Sequence, residues 1–253
     1  RWVYHVTSSP SGSQEEVLTN FEQSKGYAMM RNAAGVYTFT GTTTASDVDK
    51  TLSTSSGTHY WHGVGNPFPS FMAANNEANN SYNILKKNIN KLDSQYAALY
   101  VWKESQSQYS AINHSTTNTD KLLAPAQGFM VKMQDDSEVF TFEKDATSHQ
   151  EGSTTFNRGQ VSTTPTIIVR LSVGNMTKST TLKYIHNCTL GLDPGYDAGA
   201  YQDGTPSLAI NTHLVADSQG TDFTLQCLPE SALETVVIPL SVYAQANDVL
   251  TFS

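Results

Sequence analysis

The chain predicts an all-β fold, and three observations carry that prediction. Short runs rich in Val, Ile, Thr, Tyr and Phe recur along it, broken at close intervals by Gly, Asn, Asp and Ser. Only two stretches show helical spacing. Charged residues make up only 15% of the chain, and Ser, Thr, Asn and Gln supply the polar surface, as is common in extracellular β-proteins. The expected architecture is two tandem β-sandwich, jelly-roll-like domains, the first with an internally duplicated β-unit and a short helix. The expected boundaries are 1–152 for the first domain, 153–165 for a linker and 166–253 for the second.

Taken in order, RWVYHVTSSP (1–10) is a Trp-bearing strand that ends in a Pro turn. SQEEVLTNFEQ (13–23) predicts a helix capped by Ser13. SKGYAMMRNAAGVYTFTG (24–41) and AQGFMVKMQDDSEVFTFE (126–143) share one pattern: a small residue, Gly, an aromatic, an apolar strand, a polar turn, then an aromatic-Thr-Phe strand. Gly26 matches Gly128 and Tyr27 matches Phe129. Each copy reads as a β-hairpin entered through a Gly that permits positive φ or a bulge. YNILKKNINKL (82–92) places Ile84, Leu85, Ile89 and Leu92 on one face and predicts the only substantial helix.

HYWHGVGNPFPSF (59–71) concentrates two His, a Trp, two Gly and two Pro. In a strand, His59 and His62 fall on opposite faces and cannot share a metal without a bulge. Asn66 before Pro67 is pushed to an extended backbone, and Pro69 repeats the constraint. The stretch reads as a structural corner. Beyond the polar segment 144–165, the runs TIIVRLSV, TTLKYIHNCTL, TDFTLQCL, ETVVIPLSV and DVLTFS predict the strands of the second domain.

The net charge of −8 argues against a nucleic-acid partner, which needs a Lys/Arg excess. No run of about 18 apolar residues and no basic amphipathic stretch is present, so membrane insertion is not expected. Cys188 and Cys227 form either one disulfide or two separate buried thiols, and alone they cannot complete a zinc site.

Four motifs in order, GVGNPFPS (63–70), ALYVWKE (98–104), LAPAQGFMVK (123–132) and FTFEK (140–144), resemble a recurrent β-rich module of large secreted proteins from Bacteroidetes. That module commonly stands just upstream of a type IX secretion sorting domain. LGLDPGYDAGAYQDG (190–204) and TVVIPLSV (235–242) resemble the sandwich that often follows it. The resemblance implies an extracellular or cell-surface location and a non-catalytic role within a larger protein.

Two candidate sites emerge. In ALYVWKE, Leu99 and Val101 share one face, and Tyr100 and Trp102 the other. Tyr100 and Trp102 are the candidate ligand-binding pair, able to stack on sugar rings with Trp61, Phe68 and Tyr109 as further aromatics. Asp193, Asp197 and Asp203 lie in a Gly-rich loop and are candidate ligands for Ca²⁺. The alternative for these carboxylates is capping of local backbone amides. G-x-S-x-G, H-E-x-x-H, P-loop and G-x-G-x-x-G signatures are all missing, so no catalytic residue is assigned. The expected function is binding or adhesion, with a polysaccharide or cell-surface glycan as partner and neighbouring domains or further copies as other contacts. The alternatives are a structural spacer or stalk module and, last, an accessory part of a polysaccharide-degrading enzyme.

Overall fold

The computed structural model describes residues 5–6, 16–17, 20–28, 38, 40–54, 59–103, 106–117, 121–149, 164–201 and 204–253. It is an all-β structure. The first half runs β1 (His5–Val6), β2 (Glu16–Val17), β3 (Val48–Leu52), β4 (Trp61–Gly65), β5 (Phe71–Ala73), α1 (Ile84–Asn88), β6 (Leu99–Lys103), β7 (Gln108–Ile112), β8 (Leu122–Leu123), β9 (Gly128–Lys132), β10 (Glu138–Phe142) and β11 (Thr147–Ser148). The second runs β12 (Thr166–Val173), β13 (Met176–Tyr184), β14 (Ala198–Gly199), β15 (Ala209–Thr212), β16 (Phe223–Leu228), β17 (Leu240–Tyr243) and β18 (Thr251–Phe252).

The sheet that positions the site has the order β4-β9-β6-β7. Its strands alternate cleanly, so it has two buried faces. Leu99, Ile112, Phe129, Val131 and Val64 point into the core of the first half, which also holds Phe140 and Phe142. Tyr100, Ala111 and Met130 point the other way and meet Cys188, Ala198, Leu225 and Cys227 of the second half. The second half is one mixed sheet, ordered β17-β15-β16-β13-β12-β18, with β14 also on β16 and a parallel β13–β16 pair. Leu171 of β12 packs with Leu208 and Ile210, although β13 and β16 stand between β12 and β15 in the sheet. The sheet is therefore curled until its own strands touch. Pairings among the described strands stay within one half or the other.

The helix expected at 82–92 forms as α1 and runs on into a 3-10 turn at Ile89–Lys91. Asn83 caps it, its side chain accepting from the Lys86 N–H at 2.8 Å. Asn88 then ties it to β10, donating to the Thr141 carbonyl and accepting from the Thr141 N–H, both at 2.9 Å. The 59–71 corner is held by Asn66. Its amide donates to the carbonyls of Ser70 and Ala124 at 2.9 and 3.0 Å, and its oxygen accepts from the Phe68 N–H.

Four expectations need correction. Within 13–23, Glu16–Val17 are a strand paired in parallel with His5–Val6, and the local helix signal loses to that pairing. Residues 126–143 are not a hairpin: β9 pairs with β4 and β6, whereas β10 pairs with β3. Most of the matching copy, 24–41, lies outside the described residues. Gly26 and Gly128 nevertheless flank the same strand, β4. Gly26 donates to the Gly63 carbonyl at 2.9 Å on one side, and Gly128 pairs with Gly65 on the other. Neither Gly has positive φ. Gly26 is needed because a Cβ there would lie 2.8 Å from the Gly63 carbonyl carbon and 2.9 Å from the Val64 nitrogen. Lastly, Cys188 follows the end of β13 in a turn closed by its N–H on the Ile185 carbonyl, so only Cys227 sits in a strand.

Candidate ligand-binding site

How far the second half covers β6 decides what its two aromatics, which share one face, do. Tyr100 is fully buried, and its hydroxyl donates to the Gly199 carbonyl at 2.8 Å. Burial pushes its phenol pKa well above the ordinary value. Tyr100 therefore joins the two halves and is out of a ligand's reach. Trp102, two residues on, emerges at the rim with 48% of its surface exposed.

Around Trp102 the halves leave a cleft of ≈ 400 Å³, within the range of about 300–1,000 Å³ usual for ligand sites. Trp102 and Tyr109 form one wall; Lys178, Tyr201 and Asn211 contribute to the other. The rings meet edge to face or tilted: Trp102 and Tyr109 centroids are 5.2 Å apart, Tyr109 and Tyr201 4.6 Å. Lys178 donates to the Gln106 and Ser107 carbonyls, anchoring the turn that leads into β7, and burial lowers its pKa. Asn211 is 4% exposed, and its Nδ2 has no hydrogen-bond partner. The described lining holds amides, hydroxyls and one amine, with no carboxylate. It can stack an apolar ring face and hydrogen-bond a hydroxylated edge.

A second cleft, of ≈ 460 Å³, opens on the far side of Ala200. Trp61, Tyr96 and Lys132 approach it from the first half, Thr221, Asp222 and Tyr243 from the second. Asp222 is fixed on both oxygens: His213 Nε2 lies 2.9 Å from Oδ1, and the Tyr243 hydroxyl donates to Oδ2 at 2.8 Å. That hydrogen bond raises the Tyr243 pKa. Lys132 pairs with Asp93 at 2.9 Å and stands 3.8 Å over the Tyr96 ring.

Of the proposed calcium ligands, Asp203 lies outside the described residues. Asp193 and Asp197 come together, but as backbone caps. Asp193 accepts from the Thr189 N–H at 2.6 Å, and Asp197 accepts from the N–H groups of Asp193 and Cys227, both at 2.7 Å. Asp197 is fully buried, and desolvation pushes its pKa up to about 7. Among the described residues no three His, Cys, Asp or Glu side chains group around a point that could hold a metal. Cys188 and Cys227 are buried free thiols in contact with each other.

One sequence family, described as a domain of unknown function (DUF8693), matches residues 1–253. The chain belongs to this family. No curated protein and no solved structure matches it. In this family member both clefts lie where the two halves meet, and sequence reasoning found Trp102, Tyr109 and Trp61 but not their partners in the second half. Tyr201 was masked by its Gly-rich segment, although an aromatic in a loop of small residues was a usable signal. Asp222 ends the connection DSQGTD (217–222), which leads into β16 of the antiparallel pair β15 and β16. Its clamp by His213 and Tyr243 depends on strands brought together only by the fold.

Proposed function

We propose that this chain is a non-catalytic binding or adhesion segment of a larger secreted or cell-surface protein, and that it recognises polysaccharide. The observation that carries this reading is the half-exposed Trp102, edge-packed on Tyr109 at the mouth of the ≈ 400 Å³ cleft. A pyranose offers an apolar face to such rings, and Gln108 and Lys178 offer donors to its hydroxyls. The extracellular location and the type IX route rest on the resemblance of the GVGNPFPS, ALYVWKE and LAPAQGFMVK motifs. A calcium ion, as part of this function, would draw on Asp193, Asp197 and Asp203, and would have to displace the Thr189 contacts to both oxygens of Asp193 and the amide contacts to both oxygens of Asp197.

A glycan array probed with the whole chain, followed by calorimetric titration of each hit, tests the proposal. Binding that Trp102→Ala reduces at least tenfold, with the melting temperature held, is the expected result. An array without hits, or hits indifferent to Trp102, refutes it. A second reading, a spacer that assembles through its surface, is favoured by the exposure of Val237, Val249 and Phe252 at 87%, 82% and 53%. Sedimentation of concentrated protein as a monomer would count against that reading.

A further inference from the structure

The two clefts are not independent. Ala200 lines both. Tyr201 lines the first, and its ring meets Trp61, which lines the second, with centroids 4.7 Å apart at 86°. Trp61 in turn meets Tyr96 at 5.5 Å. Aromatic edges thus run without a break from Trp102 through Tyr109, Tyr201 and Trp61 to Tyr96. Each step is comparable to the length of one pyranose unit.

The ends of this row differ in chemistry. The first cleft is aromatic. The second is more polar, with the clamped Asp222 carboxylate and the Thr221 hydroxyl oxygen as acceptors and the Lys132 ammonium as donor; the Thr221 proton itself goes to Gln95 Oε1 at 3.2 Å. Its Lys132 is already neutralised by Asp93, so Asp222 leaves the cleft with a net negative charge, the His residues being counted neutral. A uronate or sulfate would meet repulsion there; a neutral hydroxylated unit would meet fixed hydrogen-bonding groups.

We infer that the two clefts are subsites of one groove that holds an extended, neutral polysaccharide chain across Ala200 and Tyr201, instead of capturing a chain end in the first cleft alone. This rests on the proposed function. Asp222 serves the second subsite as a hydrogen-bond acceptor, with His213 and Tyr243 as its positioning residues.

The test is titration of the whole chain with cello-, xylo- and manno-oligosaccharides of two and of six units, and with polygalacturonate. For the neutral series that binds, the six-unit ligand is expected to be about tenfold tighter or more, the gain of one or more charge-assisted hydrogen bonds. That ratio should fall towards one in Lys132→Met and in Asp222→Asn. Lys132→Met keeps an apolar stem over Tyr96, so it reports even if Asp222→Asn fails to fold. A length gain due only to sliding of the ligand would survive both substitutions, and that outcome overturns the groove. So does a six-unit ligand no tighter than the two-unit one in a protein whose binding still depends on Trp102, which leaves the first cleft standing. Tighter binding of polygalacturonate than of any neutral series also overturns it. Absence of all binding defeats the proposed function as well.

Discussion

Tyr100→Phe separates the two aromatics of β6. The substitution removes one oxygen and nothing else, because the ring is fully buried between the halves and a Phe ring fills the same space. What is lost is the 2.8 Å hydrogen bond to the Gly199 carbonyl. Removing one partner of a buried hydrogen bond costs about 1–3 kcal/mol. Taking about 2 kcal/mol, and roughly 2–4 °C per kcal/mol for a chain of this size, the melting temperature should fall by roughly 4–8 °C. Scanning calorimetry and urea unfolding measure the loss, and glycan titration of the same protein should show affinity within twofold of the parent. Trp102→Ala should behave in the opposite way, with binding lost and melting nearly unchanged. If Tyr100→Phe abolishes binding while its melting curve overlays the parent's, Tyr100 touches ligand and its burial between the halves is wrong.

Four further outcomes are expected. Gly26→Ala should cost about 1–3 kcal/mol, because its Cβ would press on backbone atoms of Gly63 and Val64 that cannot swing aside. Gly128→Ala, whose nearest neighbour would be the Val64 oxygen at 3.7 Å, should change stability by less than about 0.5 kcal/mol, and equal losses at the two sites would refute the close-approach argument. Asp197 has a folded-state pKa raised from 3.8 to about 7, so the folded chain holds a proton that the unfolded chain has released. Stability should therefore decline between about pH 4 and pH 7, by an order of about 4 kcal/mol, and level off above; Asp197→Asn should flatten that decline, and an unchanged slope would sink the assignment. The Cys188 and Cys227 thiols should react slowly with a disulfide reagent in the native protein, since their mutual hydrogen bond and then burial push the Cys227 pKa far up, and both should titrate once it is unfolded without reductant. Finally, melting in EDTA and in millimolar Ca²⁺ decides the calcium question: a rise with Ca²⁺ that Asp193→Asn removes would establish the site, and overlaid curves would leave Asp193 as a cap only.

Much of this fold is visible in local sequence because burial alternates with period two. β6, β9 and β12 fall where their β-rich runs predict, and the alternation of Leu99, Tyr100, Val101 and Trp102 foretells two opposed faces. The NPFP corner is legible for a different local reason: Pro restricts its neighbours whatever surrounds it. Strand partners are a different matter. Nothing within 126–143 says that β9 and β10 belong to separate sheets, since pairing is chosen by segments far away in the chain. Trp102 could be picked out by type, but its exposure and the buried state of Tyr100 depend on how the second half covers the sheet. Asp197 shows the same limit, because a carboxylate in a Gly-rich loop looks solvated until Cys227 supplies an amide from 30 residues away.

The core between the halves belongs to neither of them. Tyr100, Ala111 and Met130 are buried only because Ala198, Leu225 and Cys227 lie against them, and the reverse is equally true. Gly199 has no room to vary there: a Cβ would stand 2.5 Å from the Tyr96 ring. Recombination that joined one half to a foreign partner would uncover an apolar face and misplace a glycine fitted to a single aromatic edge. The two halves thus depend on each other for the burial of that core, and one family matches residues 1–253, both halves included. The core that each half needs for burial is shared across the polar stretch that composition marks out.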